Sequence, residues 1–452
     1  MDWKSTGFIP ETLLPWALIP LFLLGLVHPL GFAISIGACI VFLSLIYGVR
    51  HHDILLMLIL YAPIIKASPL NPIPEWLDLT VLFYALFLLL IIARFVFRSV
   101  DLPKLDLADI AMILYIILVT VSFFRSPYEV RDYATFKLVR FTLLSAPFFF
   151  FPKLFRMDDF SHMGKLISFV GAIICLALFV VFPTAIEIKG FGNSYLTMAK
   201  LAGITMLFSG VGFVQERRMA LKVLYGIAMM ISILLVFKTN SRAGILFGPL
   251  VLGGYFAFVF RRKRALALFA LIMLVFATIV TYQMYPDFFT RFFLMFKSHK
   301  GSSINLRFTL YDVSVRLLQQ RWFDGLGLGG FSRYHYLNYP HNFILESFIE
   351  HGLAGGLLIL TWIGFLVSRC LTLLKRRIMA TGYAGYMLST VFLFLFYMTS
   401  FGLESMRLLL FFSGCVMTIA VREDWHASPK PGGQPWKTYE ETADTESSPA
   451  RQ

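Results

Sequence analysis

Long apolar runs recur along the whole chain, separated by short polar connections. They lie near residues 9–27, 31–49, 54–66, 79–97, 107–123, 134–151, 162–183, 196–214, 221–237, 243–260, 265–284, 342–367, 380–399 and 406–421. At about 1.5 Å of rise per helical residue, a run of roughly 18–20 residues crosses a hydrocarbon core of about 30 Å. The runs are continuous rather than alternating, so they predict helices; a membrane barrel would show short segments with a period of two. The expected fold class is all-α: a polytopic transmembrane helix bundle of 12–14 spans, the run near 54–66 being the shortest. A second run follows the first at once, with no small-residue cleavage pattern between them. The first therefore reads as a retained span rather than a signal peptide.

Charge then orients the bundle. Alternate connections carry Arg94, Arg98 and Lys104; Lys153 and Arg156; Arg217, Arg218 and Lys222; the RRKR run at Arg261–Arg264; and Arg369, Lys375, Arg376 and Arg377. Short loops rich in Lys and Arg stay in the cytoplasm, so these connections, and with an even span count both termini, are expected there. The organisation that follows is a first block of spans over 1–284, an external loop over 285–340, the last spans over 341–422, and a polar, disordered cytoplasmic tail over 423–452.

The external loop is the one long connection. It holds seven cations (Arg291, Lys297, Lys300, Arg307, Arg316, Arg321 and Arg333) against Asp287, Asp312 and Asp324. Basic charge on a translocated segment runs against the orienting rule, and an anionic ligand is a reason for it. Within the loop, LRFTLYDVSVRLLQQ (306–320) places Leu306, Leu310, Val313 and Leu317 at helical spacing, with Arg307, Asp312, Arg316 and Gln320 elsewhere on its circumference. Such a helix either lies on the membrane surface or caps the bundle.

Composition agrees: 58% of residues are hydrophobic and 15% charged, against about 25% charged in soluble proteins. The net charge of +14 reports orientation before it reports a polyanionic partner, and no nucleic acid is expected. The four cysteines, Cys39, Cys175, Cys370 and Cys415, sit in or beside apolar runs with no CxxC spacing, as small buried hydrophobes do.

Chemistry-bearing residues concentrate between about 238 and 351. DGLGLGGF (324–331) is neither a dinucleotide fingerprint nor a phosphate loop, and its glycines suit a turn that brings backbone close to backbone or to a ligand. KTNSRAG (238–244) puts Arg242 at the external end of a span, where a cation faces a cavity or a partner; Lys238 reads as snorkelling to the interface. In NYPHNFILESFIEHGL (338–353), His341 opens a span, where its neutral form is favoured and able to accept a proton. His335, His341 and His351 lack ligand spacing, so no metal site is expected, and no nucleophile elbow supports serine hydrolysis.

Taken in order, the SRAG at a span end, NLRFTLYDVSVRLLQQRWFDGLGLGGF in the loop, and YPHNFILESFIEHGLAGGLLIL opening the next span resemble the O-antigen ligase/polymerase family of bacterial envelope enzymes. The match covers roughly 235–360; elsewhere the likeness is only that of apolar spans. The resemblance implies a multi-pass protein of the bacterial inner (cytoplasmic) membrane with a periplasmic active site. It also implies transfer of a glycan from an undecaprenyl-diphosphate carrier in the lipid bilayer to an acceptor hydroxyl, with inversion and with no cofactor or metal. It assigns His341 as general base and Arg242 and Arg307 to the diphosphate. Asn342, Arg316, Arg321, Arg333 and Glu346 follow as substrate contacts, with Glu350 and His351 left to helix packing.

The acceptor is lipid A–core in a ligase and a second carrier-linked glycan in an O-antigen or exopolysaccharide polymerase. One dominant external loop suits the ligase, whereas about 14 spans exceed the usual ligase count. The alternative of another class is a polysaccharide or lipid transporter or flippase, which would place charge near mid-span. Here Lys200 and Glu404 are the nearest candidates, with Lys200 expected at the external interface.

Overall fold

A computed structural model describes residue 56 and residues 59–61, 79–96, 105–181, 194–239, 241–260, 302–375 and 381–427. The expected spans near 9–27, 31–49 and 265–284, most of that near 54–66, and Arg291, Lys297 and Lys300 lie outside the described residues. Within them the chain is helical and holds no strand, as an all-α membrane bundle requires. Among the described residues, six segments are long and apolar enough to cross a membrane.

The first helices are α1 (Leu79–Val96) and α2 (Leu107–Phe123). A capping box opens α2: the Asp106 carboxylate accepts from the Asp109 amide at 3.0 Å, and that of Asp109 accepts from the Asp106 amide at 2.7 Å. The run expected near 134–151 breaks into α3 (Arg131–Thr142), a helical turn Pro147–Phe150 and a 3-10 turn Phe151–Leu154. Pro147 and Pro152 supply no amide hydrogen and crowd the preceding turn, so one helix cannot run through both.

Next come α4 (Met157–Val181), α5 (Ser194–Gln215), α6 (Met219–Lys238) and α7 (Arg242–Val259). α5 is the buried centre: Met198, Ala199, Ala202, Met206 and Leu207 have no exposed surface. Glycine lets its neighbours close in; a Cβ on Gly203 or Gly210 would run into Phe392 or Leu252 respectively.

The loop helix α8 (Ser302–Arg321) contains the expected amphipathic segment. Its face caps the bundle: Leu310 and Leu317 are buried with Phe331 and Ile349, and Leu306 and Val313 pack beside them. Last are α9 (Phe343–Lys375), α10 (Ala384–Tyr397) and α11 (Arg407–Ala427). α11 runs past residue 423, where the tail was expected to begin.

α9 is not continuous, because Gly352 has φ 67° and ψ −159°. The break frees carbonyls that the glycine-rich loop then takes. Leu326 N–H donates to Ile349 O at 2.8 Å and Gly327 N–H to Glu350 O at 3.0 Å. The Ser122 hydroxyl also donates to Glu350 O, at 3.2 Å. Helix carbonyls at membrane depth must find donors, and here a loop replaces the helix's own. The approach demands glycine: a Cβ on Gly325 (φ 69°) would lie 2.5 Å from Gly352 N, and one on Gly327 (φ 83°) 2.7 Å from the Arg125 backbone. DGLGLGGF is thus a backbone-to-backbone joint.

Candidate active site

The joint sets the mouth of α9. Asn342 caps it, its side-chain oxygen accepting from the amides of Ile344 at 3.1 Å and Leu345 at 3.0 Å. Just before the cap, His341 takes φ 59°, in the left-handed region that few residues other than glycine occupy. The imidazole packs against Tyr339, with ring centroids 4.6 Å apart, edge to face. The ring is half-buried, and Nδ1 has no hydrogen-bond partner among the described residues. Burial first, then the Arg307 and His335 charges, lower its pKa from 6.5 to about 4. The imidazole is neutral at physiological pH, the state a proton acceptor needs.

Arg307 projects from α8 and acts electrostatically on both His341 and Arg242, so the loop helix lies within electrostatic reach of the imidazole on one side and the start of α7 on the other. Ser241 caps α7, accepting from the Gly244 amide at 3.3 Å, and Arg242 is the first helical residue. A cation at a helix N-terminus adds to the positive end of the macrodipole and is disfavoured unless an anion joins it. Among the described residues neither Arg242 nor Arg307 has a carboxylate partner. Guanidinium groups suit the oxygens of a polyanion, and of these two Arg307 lies within electrostatic reach of the neutral imidazole.

The other expected contacts sort differently. Arg316 pairs with Asp312 at 2.7 Å, Arg321 with Asp324 at 3.4 Å, and Arg333 with Glu129 at 3.6 Å, all with exposed side chains. Glu346, expected to touch substrate, is fully buried with both oxygens occupied: one by Lys137, the other by the Leu403 amide at 2.9 Å.

Lys137 is the partner that sequence reasoning missed. Its ammonium lies between Glu346 and Glu350, 2.6 Å from the latter, and all three side chains are fully buried. The Tyr133 ring lies 5.8 Å from the same ammonium. Two signals were available: a lysine inside the apolar run at 134–151, and two glutamates one turn apart at the head of a span, which need a cation. Their pairing across more than 200 residues was not legible. His351 is buried edge-on to Tyr115 at 5.8 Å, as expected of a packing residue.

Lys200 and Lys238 correct the interface readings, being 4% and 2% exposed. These cations, with Arg242, Arg407, Lys137, Glu346 and Glu350, gather toward the end of the bundle that carries His341. The buried Lys153–Asp109 pair, at 2.6 Å, lies toward the other. A cavity of about 470 Å³ at that other end, lined by Lys165, Gln215, Arg217 and Arg218 among others, includes none of the His341 constellation. No group of His, Cys, Asp or Glu among the described residues is arranged to hold a metal.

The fold is that of a multi-pass helical membrane protein with six apolar helices long enough to span a membrane among the described residues. The family model described as O-antigen ligase matches residues 227–360, which hold Arg242, Arg307 and His341, so the chain carries an O-antigen ligase family domain. Members of that family are lipid-linked glycan transferases. A search of curated proteins returns no match.

Proposed function

We propose that the protein transfers a glycan from an undecaprenyl-diphosphate carrier to an acceptor hydroxyl at the periplasmic face of the bacterial inner membrane. The observation that carries this reading is that Arg307 lies within electrostatic reach of both Arg242 and a neutral His341 packed on Tyr339. The acceptor hydroxyl attacks the anomeric carbon as its O–H bond breaks, and His341 takes the proton. The bond from that carbon to the phosphate oxygen breaks on the opposite face, so the anomeric centre inverts. Its electron pair leaves with the carrier diphosphate, whose developing charge Arg242 and Arg307 neutralise in place of a divalent cation. Preorganised charge of this kind is among the largest contributions an enzyme makes. The free amide of Asn342 is placed to orient acceptor or sugar, and Arg316, Arg321 and Arg333 edge the path of the glycan.

A ligase acting on lipid A–core is the favoured form, because the described loop builds one site around one helix, α8. The test supplies the purified protein with an undecaprenyl-diphosphate glycan and either lipid A–core or a second carrier-linked unit. Product on lipid A–core identifies a ligase, and a ladder on the carrier a polymerase. Transfer to neither, with undiminished function of Arg307→Ala and His341→Ala in cells, overturns the reading.

A further inference from the structure

Away from His341, a hollow of about 470 Å³ lies between the first half of α4, the end of α5, the start of α6 and the turn before α10. Sites that take an organic ligand usually measure roughly 300–1,000 Å³. The buried part of the lining is mostly apolar, with Phe208, Val211 and Tyr225. Glycine lets these groups close up: a Cβ on Gly212 would lie 2.5 Å from the Tyr225 ring. The Gln215 amide donates to the Thr381 carbonyl and ties the end of α5 to the turn before α10.

The cations of the lining lie on exposed residues. They are Lys165, Arg217 and Arg218, set against one carboxylate, Glu216. That carboxylate turns back on its own loop, where one oxygen accepts from the Arg217 amide at 2.9 Å and the Arg218 amide at 3.0 Å. None of the three cationic side chains has a hydrogen bond or an ion pair among the described residues. Asp158 and Asp159, at the start of α4, do not line the hollow, and Asp159 accepts from the Arg156 amide at 2.7 Å. The positive-inside rule accounts for basic residues in the connection between α5 and α6, but not for their sharing the rim of a hollow with Lys165 of α4. Lys222, from the start of α6, lies over the Phe213 ring at 5.4 Å and is no part of the lining.

From this rim the helices continue as apolar surface. α4 and α6 lie side by side here, with the Phe169 and Tyr225 rings 4.7 Å apart. Farther along the same two helices, Ile173 and Ile227 are 68% and 51% exposed. A cationic hollow at the ends of two spans, with exposed apolar side chains beyond it, suits a ligand with an anionic head and an aliphatic tail. A soluble anion would use the first feature and not the second.

We propose that this hollow binds the head group of an acidic phospholipid, with its acyl chains lying along α4 and α6. The head group chemistry is a phosphate ester without an amine of its own, because a zwitterionic head would bring another cation to a rim already short of anions. On the orientation expected from loop charge, the lipid belongs to the cytoplasmic leaflet. The site stands apart from the transfer reading and uses none of the residues placed in that reaction.

The full-length protein in phosphatidylcholine nanodiscs, titrated with phosphatidylglycerol and read by native mass spectrometry, tests this. The wild type is expected to hold phosphatidylglycerol in preference to phosphatidylcholine. Arg217→Gln/Arg218→Gln, at two exposed positions, weakens that binding by about tenfold or more. Gly382→Leu weakens it without any change of charge. A Cβ there meets nothing nearer than Gln215 Oε1 at 3.8 Å, so the longer side chain occupies space that the head group would use. Lys222→Gln leaves binding unchanged. Equal weakening by Lys222→Gln and by the arginine pair, with Gly382→Leu indifferent, would mean diffuse attraction to a charged surface and would overturn the site. Undiminished binding in both the arginine pair and Gly382→Leu, or phosphatidylcholine held as tightly as phosphatidylglycerol, would overturn it too. Displacement of the lipid by glycerol phosphate or inorganic phosphate would assign the hollow to a soluble phosphate and overturn the lipid occupant.

Discussion

His341 is the residue at which burial decides chemistry. Folding lowers its pKa from 6.5 to about 4 by desolvation and by the Arg307 charge, so the unfolded chain binds the extra proton between those values. The stability this group contributes is fully present above pH 6.5 and is lost as the pH falls toward 4. If His341 is the base, kcat/KM holds level from neutral pH down to about 5 and then falls with an apparent pKa near 4, measured as transfer rate against pH. His341→Gln lowers kcat by about 10²–10⁴-fold in the same assay, the usual range for a lost general base. An acid limb near 6.5 would mean that the base is a different, solvated group.

Lys137 shows the opposite balance, a cation the fold cannot do without. Lys137→Ala leaves two buried carboxylates facing each other and is expected to cost about 3–5 kcal/mol, read by thermal or denaturant unfolding in detergent. The triple variant Lys137→Met/Glu346→Gln/Glu350→Gln removes every charge and recovers most of that loss. Equal destabilisation in both would show that packing, not charge, holds α3 to α9. At this scale the sequence was half legible. Arg242 and His341 stand out as polar residues at span ends, and Arg307 as a cation of the external loop that matches the family pattern. Lys137 does not, because an ion pair between distant segments leaves no local pattern.

Among the elements, the spans were the most readable part. A continuous apolar run states its own secondary structure, and α2, α5, α6 and α7 lie within a few residues of their expected places. The departures come from residues that act on the backbone. Pro147 and Pro152 divide the segment after α3, and Gly352 divides α9 directly after Glu350 and His351, inside what was expected as one continuous span. The amphipathic spacing of α8 left two placements open, and only the packing of Leu310 and Leu317 against Ile349 selects the cap.

The joint at Gly352 can be tested directly. A Cβ there would overlap the Phe323 carbonyl in a backbone that L residues rarely adopt. Gly352→Ala and Gly325→Ala should each destabilise by about 1–3 kcal/mol and reduce transfer. Gly364→Ala, where a new Cβ has open space, should leave the melting temperature unchanged or slightly raised. Comparable losses at all three would argue against the joint.

For the whole molecule, the placement of ionisable groups separates the rival classes. A transporter sets its ionisable groups near mid-span at a repeat interface, whereas Arg242 is the first residue of α7 and His341 lies just before α9, both at helix ends. On the orientation proposed from loop charge, the end that carries His341 is expected to be periplasmic. A cysteine placed at Tyr336, an exposed residue near the cleft, should react with a membrane-impermeant maleimide in intact spheroplasts, and one at Arg218 only after lysis. The reverse pattern would put the site in the cytoplasm. With arginines carrying the phosphate charge, EDTA should leave the transfer rate unchanged; loss of activity restored by a divalent cation would contradict that division of labour.

The Gly352 joint also has a consequence in time. Its partners are Ser122, the Leu326–Gly327 backbone and the carbonyls of Ile349 and Glu350, three stretches made far apart during synthesis. The early helices can enter the membrane with no joint to close, and α2 waits with its acceptor and donor groups unused while some two hundred residues follow. Only when the chain has been made past Leu353, whose amide donates to Phe323 O, can loop and helix lock. A nascent chain stalled before that point is expected to be inserted without the joint, so the mouth of α9 takes its shape only when the chain is nearly complete.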